Sequence, residues 1–510
     1  MWALFNHFEN HFSVVGRGGL IIVAVLLAGI SLSRVVYPYD VGHFEACTWT
    51  PAELSAQGKN PYAFARQEPF VMAPYGYLYY LAVGAGLRLF GGQFWFGRLL
   101  TVLALIVCVG CVMRLCRAMT ERRDSAWLAG LSVLTSLPVF HWSAVHRPDL
   151  PALALAFGAL ALAYPARAQS IGRTLFVAGL LVAAVFCKQT TVLPIAVIAA
   201  RYWQTDRRKQ ALLLLAGVAT LGAALAVVLN ATSAGGYFWQ HFVLMRQVPH
   251  SYALSWHWLG SLGRAPGTWL SLAVVALGAW RQIRQTREKT ADAVTPPTVQ
   301  TRWRTSLASP VSLLSVYLLA AVALAFVTSA RSGSYVNYYL ESVLVLALLT
   351  GLGWHWWQRQ PRAASTWQRG MILLCALFVA AGAVECWRLA RAESDRWQSL
   401  PYYREIVETL KRDVPPDALV LSVHPELALA SGHAYHFGDF LQYQDGRSAV
   451  LSDILQEQLR NRRYGAIVWL TPGDPRLAGY QLRPMPHSVR PRYYPVYLFL
   501  RSDREGKQGE

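Results

Sequence analysis

Asp40 and Glu45 stand a few residues beyond an apolar run, Gly18–Val36, that is long enough to cross a bilayer. Acids at the mouth of a membrane helix are costly unless they face water, a partner or a ligand. A carboxylate in that position, close to cations, suits transfer of a group onto a hydroxyl, because it can take the hydroxyl proton as the oxygen attacks. Asp40 is the first candidate base and Glu45 the second. Their five-residue spacing does not stack them on one helix face, which points to different tasks. The competing reading is a pair of solvated loop acids. A third acid, Asp149, follows Arg147 in HWSAVHRPDLPALAL. Its flanking prolines make Asp149 a natural cap for the next helix, which accounts for the acid but not for Arg147.

Two cations complete the set. Lys188 interrupts the apolar stretch FVAGLLVAAVFCKQTTVLPIAVIAA, and Arg331 lies in TSARSGSYVNYYLES. Each either snorkels to an interface or meets an anion. Gly333 and the small residues beside Arg331 would let a phosphate reach backbone and guanidinium together. In a helix, Asn337 and Glu341 would share a face with Gly333. Tyr75 opens a run with Tyr77, Tyr79 and Tyr80 and is the aromatic candidate for contact with a substrate at headgroup level. Were the transferred group a sugar carried on a membrane lipid, its leaving group would be a lipid phosphate. Such a reaction needs cations at the phosphate and a base for the acceptor, without a general acid.

The elements that must position these residues are membrane helices. Of 510 residues 54% are hydrophobic and only 15% charged, and the apolar residues come in long runs. The net charge of +19 falls largely in short loops between those runs, which is the positive-inside pattern rather than a nucleic-acid surface. Candidate spans are Gly18–Val36, Phe94–Leu115, Ser125–Val139, Asp149–Tyr164, two within Thr174–Tyr202 broken near Lys188, Ala211–Leu229, Gly267–Ile283, Pro310–Thr328, Leu340–Trp357 and Met371–Leu389. That makes about eleven crossings, some short for a bilayer. With the N-terminus inside, the loops around Arg114–Arg123, Arg201–Lys209 and Arg281–Arg304 lie on the cytoplasmic side, and the basic excess agrees. The apolar N-terminal run has no cleavage signal after it and reads as an uncleaved first helix.

The chain therefore divides into a transmembrane domain, 1–389, with a first outer loop at 37–93, and a tail, 390–510, placed outside the cytoplasm. Pro74–Gly92, crowded with tyrosines, reads as an interfacial helix, and the Trp- and His-rich segment 236–260 as another surface stretch. In the tail, YYREIVETLKRD is an amphipathic helix, ALVLSV and AIVWL are strands, LSDILQEQLRNRRY a second helix and YYPVYLFLR a last strand: a small α/β domain. Of seven cysteines, Cys108, Cys111 and Cys116 read as packing residues on one helix. The histidines at 241, 250 and 257, and at 424, 433 and 436, have spacings too irregular for a metal motif. There is no Walker A, H-E-x-x-H or G-x-S-x-G sequence.

Four stretches in order resemble the GT-C glycosyltransferases of the protein O-mannosyltransferase and aminoarabinose-transferase type. They are YDVGHFE with AELSAQGKNPY; APYGYLYYLAVGAGLRLFGGQFWFGRLL; HRPDLPALALAFGALAL; and CKQTTVLP with RSGSYVNYYLE. The resemblance implies a polytopic helical membrane fold, a polyprenyl-phosphate-linked sugar donor, and inverting transfer to a hydroxyl of a glycan, lipid or protein at the outer face of the cytoplasmic membrane. By position it gives Asp40 the role of base and makes Asp149 a second-loop acid of the site. Many relatives carry adjacent Asp-Glu where this chain separates Asp40 from Glu45, so the choice between the two stays open. No motif calls for a cofactor, and a divalent cation at the lipid phosphate is the one addition left open. Two other classes compete: a lipid or glycolipid flippase, against which count the missing internal repeat and the clustering of charge at one face, and a non-catalytic membrane subunit.

Overall fold

The structure, a computed structural model, describes residues 2–501 apart from 42–44, 66, 70, 93, 165–169, 249, 292–309, 332, 359–363, 438–456, 470–478 and 484–496. Apolar runs become helices because a helix satisfies its backbone polar groups internally, as lipid demands. Helix α1 spans Trp2–Val36. Then come α2 (Ala46–Ala56), a 3-10 turn (Pro61–Ala65) and α3 (Tyr77–Phe90) in the first loop. Next are α4 (Trp95–Thr120), α5 (Arg123–Leu134), α6 (Leu137–Trp142), α7 (Asp149–Ala163), α8 (Ile171–Cys187), α9 (Leu193–Gln204) and α10 (Arg208–Thr232). Short helical turns over Gly236–Gln247 lead to α11 (Tyr252–Gly263), α12 (Pro266–Ala291), α13 (Pro310–Ser329), α14 (Leu340–Gln358) and α15 (Ala364–Gln398).

Every stretch read as a span is helical, with Ser125–Val139 divided between α5 and α6. Among the described residues six helices are long and apolar enough to cross a membrane, and α7 and α8 are shorter apolar helices. At 15 residues, α7 is about 22 Å long, less than the hydrocarbon core. Large apolar side chains such as Ile22, Ile106, Val227, Leu319 and Leu373 point outward, where lipid replaces water. The centre is α14, which is almost wholly buried between α4, α5, α12 and α13. The chain breaks as read at Lys188, which is extended (φ −145°, ψ 113°) between α8 and α9. All seven cysteines are free, and Cys108 and Cys116 are packed inside the bundle.

The first loop holds more helix than its sequence announces. α3 covers the stretch read as interfacial, but α2 was not foreseen. It is buried on nearly all sides, contains Pro51, and so shows no amphipathic period.

After α15, which runs through residue 390 without a break, α16 (Leu400–Asp413) buries Tyr402, Tyr403, Ile406, Val407 and Leu410 along one face. Strand β1 (Leu419–Ser422) is followed by α17 (Pro425–Ala430), β2 (Tyr435–Phe437), β3 (Tyr464–Trp469), β4 (Tyr480–Leu482) and β5 (Tyr497–Arg501). The sheet order is β2-β1-β3-β5-β4; β2, β1 and β3 are parallel, and β5 is antiparallel to β3 and β4. Residues 451–456 of the helix read at LSDILQEQLRNRRY lie outside the described residues, while 457–460 are helical. Alternation along β1 and β3 gives the sheet two buried faces. Val420, Ala466 and Val468 pack with Tyr37, Tyr39 and Val41 of the first loop, and Leu421 and Ile467 pack with Ala46 and Cys47. The sheet thus clamps the loop that carries Asp40 and Glu45.

Candidate active site

Glu45 lies at the start of α2 and is fully buried. Arg98, in the first turn of α4, grips it with both prongs: Nε donates to Oε1 at 2.9 Å and Nη2 to Oε2 at 2.5 Å. The amide of His146 donates to Oε1 at 2.6 Å and that of Val41 to Oε2 at 3.0 Å. Arg98 also donates to the carbonyls of Arg34, Tyr37 and Tyr39, so one guanidinium fixes the whole exit from α1. Burial works against the charge of Glu45, yet Arg98 and these donors hold its carboxyl below the usual range. Both oxygens are engaged, so Glu45 has no lone pair directed at a substrate. These four bonds tie Glu45 to Arg98, Val41 and His146.

His146 packs its ring against the backbone of Gly97, where a Cβ would come within 1.6 Å of Cδ2, so only glycine fits there. Its Nδ1 meets Thr48 Oγ1 at 2.8 Å. Burial pushes the imidazole down to about 4, which keeps it neutral at physiological pH.

On the other side of residues 146–149 the remaining candidates converge. Asp149, the first residue of α7, accepts on Oδ1 from Lys188 Nζ and, at 2.6 Å, from Asn337 Nδ2. Its Oδ2 is buried with no hydrogen-bond partner among the described residues. Lys188 also lies 4.5 Å from the Tyr338 ring centroid. Arg147 donates through Nη1 to Tyr75 Oη at 2.5 Å. Burial opposes the charge of Arg147, but Tyr75, Cys47, Asp149 and Asp40 outweigh that cost and raise its affinity for the proton. Tyr75 is set by the approach of its loop to the end of α8. Gly76 donates to the Cys187 carbonyl at 3.1 Å, and a Cβ at Gly76 would strike the Phe186 carbonyl at 2.0 Å.

Arg147, Lys188, Arg331 and Tyr75, with Gly333 and Tyr338, line one pocket of about 120 Å³. Arg331 is held by a backbone bridge to His250, and among the described residues its guanidinium has no acidic partner. Gly333 has φ +76°, a turn conformation that favours glycine. The segment is not one helix: a 3-10 turn, Val336–Tyr339, precedes α14. Asn337 turns to Asp149, whereas Glu341 accepts from Tyr317 Oη at 2.7 Å and does not share its task.

Asp40 lines a different, wider cavity of about 630 Å³, together with Trp258, Arg264, Tyr335, Arg396 and Tyr403. Its Oδ2 accepts from the Glu45 amide at 2.7 Å. The two cavities are neighbours: Arg147 feels Asp40 electrostatically, and Ser334 faces the narrow pocket while Tyr335 faces the wide one. Asp40 therefore lines one cavity and Lys188 and Arg331 the adjoining one. Among the described residues no group of three or more His, Cys, Asp or Glu is placed to hold a metal. His433 instead meets Ser431 Oγ at 2.8 Å, and His436 meets Tyr464 Oη at 3.1 Å.

Reasoning from sequence missed the parts that brace this site. Arg98 stands in the first turn of a membrane helix, where a charge is a signal in itself. Glu393 and Arg396, one helix turn apart at the end of α15, tie down the loop. Glu393 binds Arg34 at 2.7 Å and pairs with Arg396, which donates to the Val41 carbonyl at 2.7 Å. Their spacing marks them as an intrahelical pair but gives no hint of the loop.

The architecture is that of a polytopic helical membrane protein with a small sheet domain at its C-terminal end. Solved structures match it over nearly its whole length. ArnT from Cupriavidus metallidurans in the apo state aligns with a TM-score of 0.57 at 13% identity, covering 93% of this chain and 97% of that one. The same protein bound to undecaprenyl phosphate aligns with a TM-score of 0.59, at the same identity and coverage. At that identity the likeness is one of fold. No protein-family model and no curated protein matches the chain.

Proposed function

We propose that this chain is a membrane glycosyltransferase that moves a sugar from a polyprenyl-phosphate donor to an acceptor hydroxyl. The observation that carries this reading is the narrow pocket, where Arg147, Lys188, Arg331 and the Tyr75 hydroxyl surround a space large enough for a phosphate. Arg147 and Lys188 are buried, and a buried cation is stable only against an anion or a fixed acid. Asp149 supplies one negative charge and the donor phosphodiester another, and the leaving lipid phosphate gains one more as its bond to the sugar breaks. A neighbour of the same fold, ArnT from Cupriavidus metallidurans, has been solved with undecaprenyl phosphate bound.

The chemistry follows from the two cavities. The donor phosphate lies in the narrow pocket, where the cations neutralise the charge that grows as the bond from the anomeric carbon to the phosphate oxygen breaks. The acceptor enters the wide cavity. Asp40 takes its hydroxyl proton, and the oxygen forms the new bond from the face opposite the leaving phosphate, so the configuration inverts. Sugar and proton are both accounted for, and the lipid phosphate leaves as an anion. A divalent cation, where one takes part, would enter with the donor phosphate. The site is assigned to the outer face of the inner membrane, with the N-terminus inside and residues 390–510 outside as a separate domain. The acceptor is a glycan, lipid or protein hydroxyl.

Undecaprenyl phosphate binding to the full-length protein in lipid nanodiscs tests the reading, with intrinsic tryptophan fluorescence as the readout. Arg331→Ala weakens binding by about 10–100-fold, the worth of one charged hydrogen bond, with thermal stability unchanged. Equal affinity in wild type and Arg331→Ala would remove the phosphate from this pocket.

A further inference from the structure

The membrane helices and the first loop form most of the site, yet the main chain of the candidate base is also held from the opposite end of the sequence. The amide of Asp40 donates to Glu426 Oε1 at 3.3 Å. Glu426 stands in the first turn of α17, directly after β1, and is 2% exposed. His424 Nδ1 lies 2.9 Å from that same Oε1, and among the described residues Oε2 of Glu426 is buried without a hydrogen-bond partner. A buried carboxylate with one idle oxygen is an expensive way to secure a loop, since a neutral acceptor would do it at lower cost. The surrounding packing makes the contact firm: Tyr39 meets the Tyr403 ring at 5.4 Å, and both rings belong to the apolar cluster that joins loop, α16 and sheet. Tyr403 and His424 also line the wide cavity together with Asp40.

We infer that the C-terminal domain is a working part of the catalytic site: Glu426, braced by His424, is a positioning residue for Asp40, and the domain forms the wall past which the acceptor reaches that base. The inference rests on the transferase reading above and adds to it a task for residues 390–510. Asp40 is held from two sides. The Glu45 amide binds its carboxylate from α2, and Glu426 binds its backbone from the sheet domain. Together these two contacts fix where the base points, and a small misplacement of a base costs rate rather than affinity.

The test uses the full-length protein in nanodiscs with the lipid-linked sugar fraction extracted from the source membranes as donor. Glu426→Ala lowers kcat per folded enzyme by about 10–100-fold and leaves the donor KM unchanged. Glu426→Gln, which keeps an acceptor oxygen, recovers part of that loss. Hydrogen–deuterium exchange of the peptide holding residues 39–41 speeds up in Glu426→Ala and less in Glu426→Gln. A purely structural Glu426 would lower the yield of folded protein and leave kcat of the folded fraction intact, and that result overturns the inference. So does unchanged exchange at residues 39–41. Absence of transfer in the wild type would instead sink the transferase reading itself, while normal wild-type transfer with an unaltered Glu426→Ala kcat would sink this inference alone.

Discussion

The Glu45–Arg98 pair and the Asp149–Lys188 pair are both buried, and both join an acid to a base across helix ends. Around Glu45 the donors are complete: Arg98 and two backbone amides occupy both oxygens. Around Asp149 the set is left open. One oxygen takes Lys188 and Asn337, the other has no partner among the described residues, and Arg147 and Arg331 add positive charge at the edge of a pocket. Residue types alone would rank the two pairs alike. A saturated buried pair behaves as scaffold, whereas a pair with excess cations facing a cavity is arranged for an anion that comes and goes.

That contrast can be broken by removing each acid in turn. Glu45→Ala or Arg98→Ala strands a buried charge and costs about 3–5 kcal/mol, read by thermal unfolding of the purified protein, and added undecaprenyl phosphate does not restore it. A loss under about 1 kcal/mol, the scale of an exposed pair, would erase the distinction. Asp149→Asn costs less, about 1–3 kcal/mol, and the deficit shrinks with saturating undecaprenyl phosphate, because the phosphate becomes the partner of Lys188. A deficit that ligand does not reduce would class Asp149 with the scaffold.

A smaller effect sharpens the comparison at its midpoint. His146 titrates near 4 when folded and near 6.5 when unfolded, so below pH 6.5 the unfolded chain binds the proton first. Its contribution is complete above pH 6.5 and is lost as the pH falls toward 4, about 2 kcal/mol between pH 7 and 5. Thermal unfolding at those two pH values should show His146→Gln losing less stability than wild type, and identical slopes would contradict the buried neutral ring.

The helices were legible because a bilayer demands long apolar runs, and the break at Lys188 because one charge and Pro194 interrupt such a run. The gathering of Arg147, Asp149, Lys188, Arg331 and Asn337 followed from the cost of charge near lipid, which leaves few places for each to go. The pairing was hidden. Arg98 is 53 residues from Glu45, and Glu426 is 386 residues from Asp40, distances over which one sequence carries no record of contact. The strands β2 and β4, three residues each, are too short to show a period. The reading of Gly333, Asn337 and Glu341 on one helix face failed because the chain turns at Gly333 and tightens into a 3-10 turn first.

In the proposed mechanism Asp40, and not Glu45, takes the acceptor proton. This is tested most directly by measuring sugar transfer from the lipid-linked sugar fraction in full-length Asp40→Asn beside wild type at equal folded amounts. Asp40→Asn keeps undecaprenyl phosphate binding and folding intact and slows transfer by about 10²–10⁴-fold, the range for loss of a positioned base. Transfer by Asp40→Asn at the wild-type rate would contradict the account.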